Sequence, residues 1–82
     1  MIAVTVYTSG PSCMACVQTK RHLGKRGIPF TEIPIDSDEG IALSAMELGL
    51  TTAPVVCASV DGRESWWDGY RPDRLDALVR AA

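Results

Sequence analysis

The chain has 82 residues, 46% of them apolar and 22% charged, and its formal net charge is −2. This length predicts a single domain, residues 1–82, of ordinary globular composition. The weak acidity and the small number of aromatic residues, five in all, argue against general binding to nucleic acid or to anionic lipid.

The N-terminal segment has no recognisable targeting pattern. It is apolar but lacks a basic region, and it is too short for a secretory signal with its cleavage site. No run approaches the roughly 18 apolar residues of a membrane span. We therefore expect a cytoplasmic protein with no membrane association. Persistent structural disulfides are uncommon there, and three cysteines fit a disulfide-stapled fold poorly.

The first half of the chain predicts strand, helix and strand. Residues 2–8 are rich in β-branched side chains and are followed by a turn, which indicates a strand. A helix is predicted from Ser12 onward, with Gly27 as its C-terminal cap. Residues 29–35 indicate a second strand. Because Pro34 cannot donate a ladder hydrogen bond, this strand is expected at a sheet edge.

The middle of the chain predicts a second helix and a third strand. Ser37 or Asp38 can cap a helix that runs to Leu48 and is closed by Gly49. Residues 54–60 are apolar on both faces, so this strand is expected to be covered on both sides.

The last third predicts a hairpin and a helix. Asp61-Gly62 is a tight-turn pair that leads into a short strand, residues 64–67. Pro72 opens a final helix, whose inner face is lined by Leu75, Leu78, Val79 and Ala82.

The resulting order, βαβαββα, predicts an α/β fold with a four-stranded mixed sheet and three helices. The βαβ start requires a parallel strand pair, and the hairpin makes the later strands antiparallel. Cys13-x-x-Cys16 beside a βαβ unit is typical of the thioredoxin/glutaredoxin-like fold.

The position of the two cysteines favours redox chemistry. At a helix N-terminus, unpaired N–H groups and the helix dipole stabilise an anion, and such cysteines have pKa values lowered to about 3.5–7.5. Cys13 lies there and is predicted to be the exposed, attacking thiol. Cys16 shares a helix stripe with Thr19 and Leu23, which is expected to face the core, so Cys16 is the sheltered, resolving thiol.

Metal binding is the main alternative for these cysteines, and the residues support it poorly. A structural zinc site needs four ligands, and only Cys57 and His22 could complete it. His22 lies nine residues after Cys13, about 180° around a helix, and is predicted to be a solvated helix residue. Cys57 is predicted to be a small buried hydrophobic residue. No metal site is expected.

The first helix also carries basic residues, which we interpret as its solvated face or as a docking surface for an acidic partner. They are Lys20, Arg21, Lys25 and Arg26.

Four segments together resemble the NrdH-redoxins, the glutaredoxin-like electron donors of ribonucleotide reductase. They read VTVYT, CMACVQTKRHL, LGLTTAPVV and WWDGYRPDRLDAL, in the family's order and over nearly the whole chain. The most specific is the Trp-x-Gly-aromatic-Arg-Pro motif from Trp67 to Pro72, which separates this family from ordinary glutaredoxins. From the residues alone, it is equally consistent that at least one of Trp66 and Trp67 is simply a core residue with no role at the site.

The resemblance implies a cis bond between Ala53 and Pro54 that faces the cysteine sulfurs, beside which a partner's backbone pairs as an added strand. It also implies that the C-terminal motif braces this loop. The expected partner-binding residues are Met14, Ala15, Thr52, Ala53, Pro54, Trp67, Gly69, Tyr70 and Arg71.

Three positions depart from the family pattern. The stretch YTSGPSC lacks the lysine that relatives carry shortly before the first cysteine and is one residue longer, so thiolate stabilisation depends more on the helix terminus. Pro34 stands where relatives often have an aspartate. Asp68 replaces a small hydroxyl residue and adds negative charge near the site.

The leading hypothesis is a monomeric dithiol-disulfide oxidoreductase. The resemblance implies thioredoxin reductase as the electron source and ribonucleotide reductase, or another disulfide protein, as the client. No cofactor is expected, because the chain has no glycine-rich phosphate loop for NADPH or flavin. The alternatives are a glutaredoxin or mycoredoxin that uses a low-molecular-weight thiol, and a non-catalytic module that binds a metal or cluster.

Overall fold

The computed structural model describes residues 2–10, 12–37, 39–50 and 52–81. Its elements follow the predicted order βαβαββα. They are β1 (Ile2–Thr8), α1 (Met14–Lys25), β2 (Phe30–Pro34), a 3₁₀ helix (Ile35–Ser37), α2 (Glu39–Glu47), β3 (Val55–Val60), β4 (Arg63–Asp68) and α3 (Pro72–Ala81).

The four strands form one mixed sheet in the order β2-β1-β3-β4. Strand β1 pairs with β2 in parallel and with β3 antiparallel, and β4 pairs with β3 antiparallel. Pro34 therefore lies on an edge strand, opposite Thr8, as predicted. The hairpin between β3 and β4 turns at Asp61 and Gly62, both with positive φ (51° and 88°), as a two-residue turn requires.

Helix boundaries differ slightly from those predicted. Helix α1 begins at Met14 rather than Ser12, because Cys13 has an extended backbone and serves as the N-cap. Ser37 ends the 3₁₀ helix, and its hydroxyl donates to the carbonyl of Pro34 at 2.7 Å. Asp38, the other predicted cap, lies outside the described residues. No helix within the described ranges is long and apolar enough to cross a membrane.

The main core lies between the sheet and helices α1 and α3, on what we call the α1–α3 face. It is formed by Val4, Val6, Leu23, Ile28, Val56, Ala58, Trp67, Leu75 and Leu78. The predicted inner face of α3 is confirmed at Leu75 and Leu78, with Val79 packed against this cluster. Ala82 lies outside the described residues.

The opposite face of the sheet, the α2 face, is only partly covered. Its cluster is small, with Tyr7, Ala45 and Val55 buried. Helix α2 has nine residues, spans about 13 Å and places Ala45 in this cluster with Val55. The prediction that β3 is covered on both faces is confirmed at Val55 and only partly met at Cys57, which packs against this cluster but is half-buried. Large apolar side chains also remain exposed here, at Leu43, Met46 and Leu48.

Candidate active site

The two spaced cysteines lie where β1 leads into α1. Cys13 is the N-cap, and its Sγ accepts a hydrogen bond from the backbone N–H of Cys16 at 3.1 Å. A sulfur in this position receives one of the N–H groups that a helix leaves unpaired at its first turn. The same N–H and the positive end of the helix dipole would stabilise a Cys13 thiolate after reduction.

Cys13 and Cys16 are joined by a disulfide, with their Cα atoms 5.2 Å apart. Cys16 is 2% exposed, and it faces the core together with Thr19 and Leu23, as predicted. Cys13 is half-exposed. This difference in access supports the assignment of Cys13 as attacking thiol and Cys16 as resolving thiol, because only an accessible sulfur can meet a partner's disulfide.

A cleft of about 440 Å³ lies beside Cys16, between α1 and the ends of β1 and β2. It is lined by Thr8, Ser9, Gly10, Cys16, Val17, Lys20, Glu32, Pro34 and Asp36. Lys20 is the one basic residue among the described residues of this lining, and its Nζ lies 2.9 Å from Oε2 of Glu32. Lys20 thus differs from the lysine missing before Cys13, since it follows Cys16 on α1 and is paired with Glu32.

The loop before β3 is held by the turn after β4. The Ala53–Pro54 bond is cis, as the resemblance implied, and Pro54 is buried. The N–H of Gly69 donates to the carbonyl of Pro54 at 2.8 Å. Gly69 has φ +75°, a backbone conformation that residues with a Cβ rarely adopt, so glycine suits this turn.

Asp68 adds a second link between this turn and the loop, which sequence reasoning missed. Its Oδ2 accepts a hydrogen bond from the backbone N–H of Thr52 at 3.0 Å. The sequence identified Asp68 only as an added negative charge. The carboxylate holds the loop residue that directly precedes Ala53, so Asp68 belongs to the bracing turn.

The remaining residues of the C-terminal motif do not form one surface. Trp67 is 3% exposed and lies in the core, so its predicted contact with a partner is wrong. Arg71 is exposed but binds the carboxylate of Asp73 through Nε (3.1 Å) and Nη2 (2.9 Å). Tyr70 is half-buried and points its hydroxyl at His22. Of the predicted partner-binding set, Met14 (68% exposed), Thr52 and Arg71 are the exposed members.

His22 is not the solvated residue that the sequence predicted. Its Nδ1 lies 2.9 Å from the hydroxyl of Tyr70, and its Nε2 lies 2.8 Å from Oδ1 of Asp76. The side chain is 17% exposed, because α3 packs beside α1 on the same face of the sheet. Helical spacing places His22 away from the cysteines but contains no information about what α3 brings next to it. Both ring nitrogens are engaged, which leaves neither free for a metal.

Cys57 lies on the other side of the sheet from α1. It packs against the cluster of the α2 face and is half-buried, not fully buried as predicted. Burial, and secondly the carboxylate of Glu64, raise the pKa of its thiol above the ordinary value. A raised pKa leaves less thiolate at neutral pH, so Cys57 is a poor nucleophile there.

We therefore expect Cys57→Ala to leave turnover nearly unchanged and to lower the free energy of unfolding by at most about 1 kcal/mol. In the protein with the Cys13–Cys16 disulfide intact, alkylation of Cys57 by iodoacetamide should be slow at pH 7 and should accelerate as the pH rises. The same reaction in urea supplies the control for an exposed thiol. A complete loss of disulfide reduction in a folded Cys57→Ala protein would contradict this assignment.

Comparison with known sequences shows similarity to glutaredoxins and to glutaredoxin-like proteins. The sequence model of the glutaredoxin family matches residues 4–63. The glutaredoxin-like protein NrdH of Lactococcus lactis subsp. cremoris is 33% identical over 76 residues, covering 93% of this chain and 99% of the relative. The glutaredoxin-like protein NrdH of Salmonella typhimurium is 31% identical, covering 94% and 89%.

Solved structures agree with this likeness. The NrdH-redoxin of Escherichia coli, whose structure was used to explain its thioredoxin-like activity profile, superposes with a TM-score of 0.79. It is 33% identical, with 93% of each chain covered. Mitochondrial thioredoxin 3 of Saccharomyces cerevisiae has a TM-score of 0.66 at 20% identity, covering 99% of this chain and 78% of its own, and it shows the fold alone. The predicted thioredoxin/glutaredoxin-like fold is confirmed.

Proposed function

Because this chain belongs to the glutaredoxin family, as a thiol-disulfide oxidoreductase of the NrdH type, we propose that it carries electrons from a protein reductase to a protein disulfide. One observation supports this most directly. The accessible Sγ of Cys13 lies at the N-terminus of α1, joined in a disulfide to the buried Cys16.

The proposed reaction is a pair of thiol-disulfide exchanges. The Cys13 thiolate attacks one sulfur of the client disulfide, forming a mixed disulfide and releasing the client's other sulfur as a thiolate that takes up a proton. Cys16 then loses its proton and attacks Sγ of Cys13, which breaks the mixed disulfide and frees the second client thiolate. The client gains two electrons and two protons, and the carrier is left with its Cys13–Cys16 disulfide.

The proposed client surface surrounds the half-exposed Cys13. It consists of Met14 and Ala15 at the start of α1 and of the Thr52-Ala53-Pro54 loop, whose backbone would pair with the client as an added strand. Two hydrogen bonds hold this loop against the turn after β4: the N–H of Thr52 donates to Asp68, and the N–H of Gly69 donates to the carbonyl of Pro54. They support the proposed role, because a loop already held in place loses less entropy when the client binds. Tyr70 and Arg71 would contribute indirectly, because Tyr70 bonds to His22 and Arg71 to Asp73. We propose that the carrier works as a cytoplasmic monomer.

Thioredoxin reductase is the proposed electron source, and ribonucleotide reductase or another disulfide protein the proposed client. The NrdH-redoxin of Escherichia coli has a thioredoxin-like activity profile, which supports this choice. So does the start of α3. A glutathione site benefits from free N–H groups and a small polar residue at a helix N-terminus, whereas α3 begins at Pro72, which has no N–H, behind Arg71, which is paired with Asp73.

We expect NADPH-coupled reduction of insulin to proceed with thioredoxin reductase and to be at least about tenfold slower with glutathione and its reductase, a difference of about 1.4 kcal/mol in activation free energy. A mycothiol system is run in parallel, and Cys13→Ser protein supplies the background rate. Equal or faster turnover with either low-molecular-weight thiol would favour the glutaredoxin or mycoredoxin alternative. Stimulation of a ribonucleotide reductase of the same organism then tests the client.

A further inference from the structure

His22, Tyr70 and Asp76 form a hydrogen-bonded group that joins α1 to the segment leading into α3. Besides the two hydrogen bonds of the imidazole, Nη2 of Arg26 lies 3.1 Å from the same Asp76 oxygen that His22 contacts. The rings of His22 and Tyr70 meet edge to face with centroids 5.8 Å apart. The imidazole is thus held on both sides by protein groups.

The two hydrogen-bond partners of His22 determine which of its ring nitrogens carries the proton. The hydrogen bond from His22, and the charge of Arg26, lower the pKa of the Asp76 carboxyl, so it is an ionised acceptor at neutral pH. A carboxylate can only accept, so Nε2 of His22 carries a proton toward it. In the neutral ring Nδ1 then accepts from the hydroxyl of Tyr70.

Tyr70 connects this group to the client loop. It directly follows Gly69, whose N–H holds the carbonyl of Pro54, and it lies two residues after Asp68, whose carboxylate holds the N–H of Thr52. The three consecutive residues 68–70 therefore contact the loop at one end and His22 at the other. His22 in turn belongs to the same helix as Cys13 and Cys16.

We propose that His22 is a positioning residue that, through Tyr70, sets the placement of the cysteine-bearing helix relative to the loop before Pro54. This rests on the proposed function, in which a client binds that loop while Cys13 attacks its sulfur. A client whose backbone pairs with the loop while its sulfur meets Cys13 requires both elements to be aligned, so a misplaced loop weakens binding of the client. A small disulfide that does not pair with the loop makes no such demand.

The test is a single-turnover reaction of fully reduced protein with insulin over a range of insulin concentrations, stopped with acid and quantified by alkylation. Without a reductase, only the client step is measured. His22→Ala and Tyr70→Phe are each expected to raise the half-saturating insulin concentration about fivefold, as the loss of one hydrogen bond implies. Their rates with the small disulfide 5,5′-dithiobis(2-nitrobenzoic acid) should match wild type. Gln18→Ala, an exposed change on the same helix, is the matched control.

Two isosteric variants separate positioning from helix packing. Asn at position 22 places a polar group near the Nδ1 position and can keep the hydrogen bond to Tyr70, whereas Gln reaches the Nε2 position and can keep the bond to Asp76. His22→Asn is expected to restore insulin binding and His22→Gln is not. Equal behaviour of all variants with insulin, rescue by Gln but not Asn, or equal losses with both disulfides would overturn the proposal. Failure of the wild-type protein to react with insulin would instead refute the proposed function.

Discussion

Cys13→Ser is expected to abolish disulfide reduction completely, and Cys16→Ser to stop the reaction at a mixed disulfide with the client. The reason is the difference in access between the two sulfurs. Cys13 caps α1 at the surface, and Cys16 lies 2% exposed beneath it. Without Cys13 the cysteine pair has no accessible sulfur to attack the client. Without Cys16 the first exchange still occurs, but no thiol is in position to resolve its product.

Intact-mass spectrometry with insulin as client checks both outcomes, and both variants are best made in a Cys57→Ala background so that no third thiol reacts. On the reduced parent protein, limiting iodoacetamide at neutral pH should label Cys13 before Cys16. Faster labelling of Cys16, or a stable mixed disulfide formed by the Cys13→Ser protein, would reverse the assignment.

Leu23→Ala is expected to lower the free energy of unfolding by about 3 kcal/mol. Leu23 is fully buried on the α1–α3 face, where it packs α1 onto the sheet, and truncation would leave a cavity beneath the helix that bears both cysteines. A domain of this size has a total stability of about 4–12 kcal/mol, so the loss is a large fraction of the whole.

Urea unfolding followed by circular dichroism measures the effect, with Leu43→Ala as the control. Leu43 has the same side chain but is 54% exposed on α2, and its truncation should cost no more than about 0.5 kcal/mol. Similar losses in the two variants would mean that α1 is not held to the sheet as described.

Several features of this protein could be predicted from the sequence because each depends on residues close together in the chain. The edge position of β2 follows from one proline that cannot donate, and the β3–β4 hairpin from an adjacent Asp-Gly pair. The location of Cys13 at a helix N-terminus, with Cys16 turned inward, follows from a strand pattern, a turn and the helical repeat. Each of these features follows from a local rule, and the order of the elements along the chain then predicted the correct fold.

Only the tertiary structure decided which distant side chains meet. The hydrogen bond from Thr52 to Asp68 spans 16 positions, and those from His22 to Tyr70 and Asp76 span 48 and 54. A helical repeat indicates which side of α1 His22 occupies, but not that α3 packs against that side. Similarly, the apolar pattern of β3 does not reveal that Cys57 is only half-buried. Periodicity describes one element at a time, whereas these contacts depend on the relative placement of two, which the packing of the whole sheet and its helices determines.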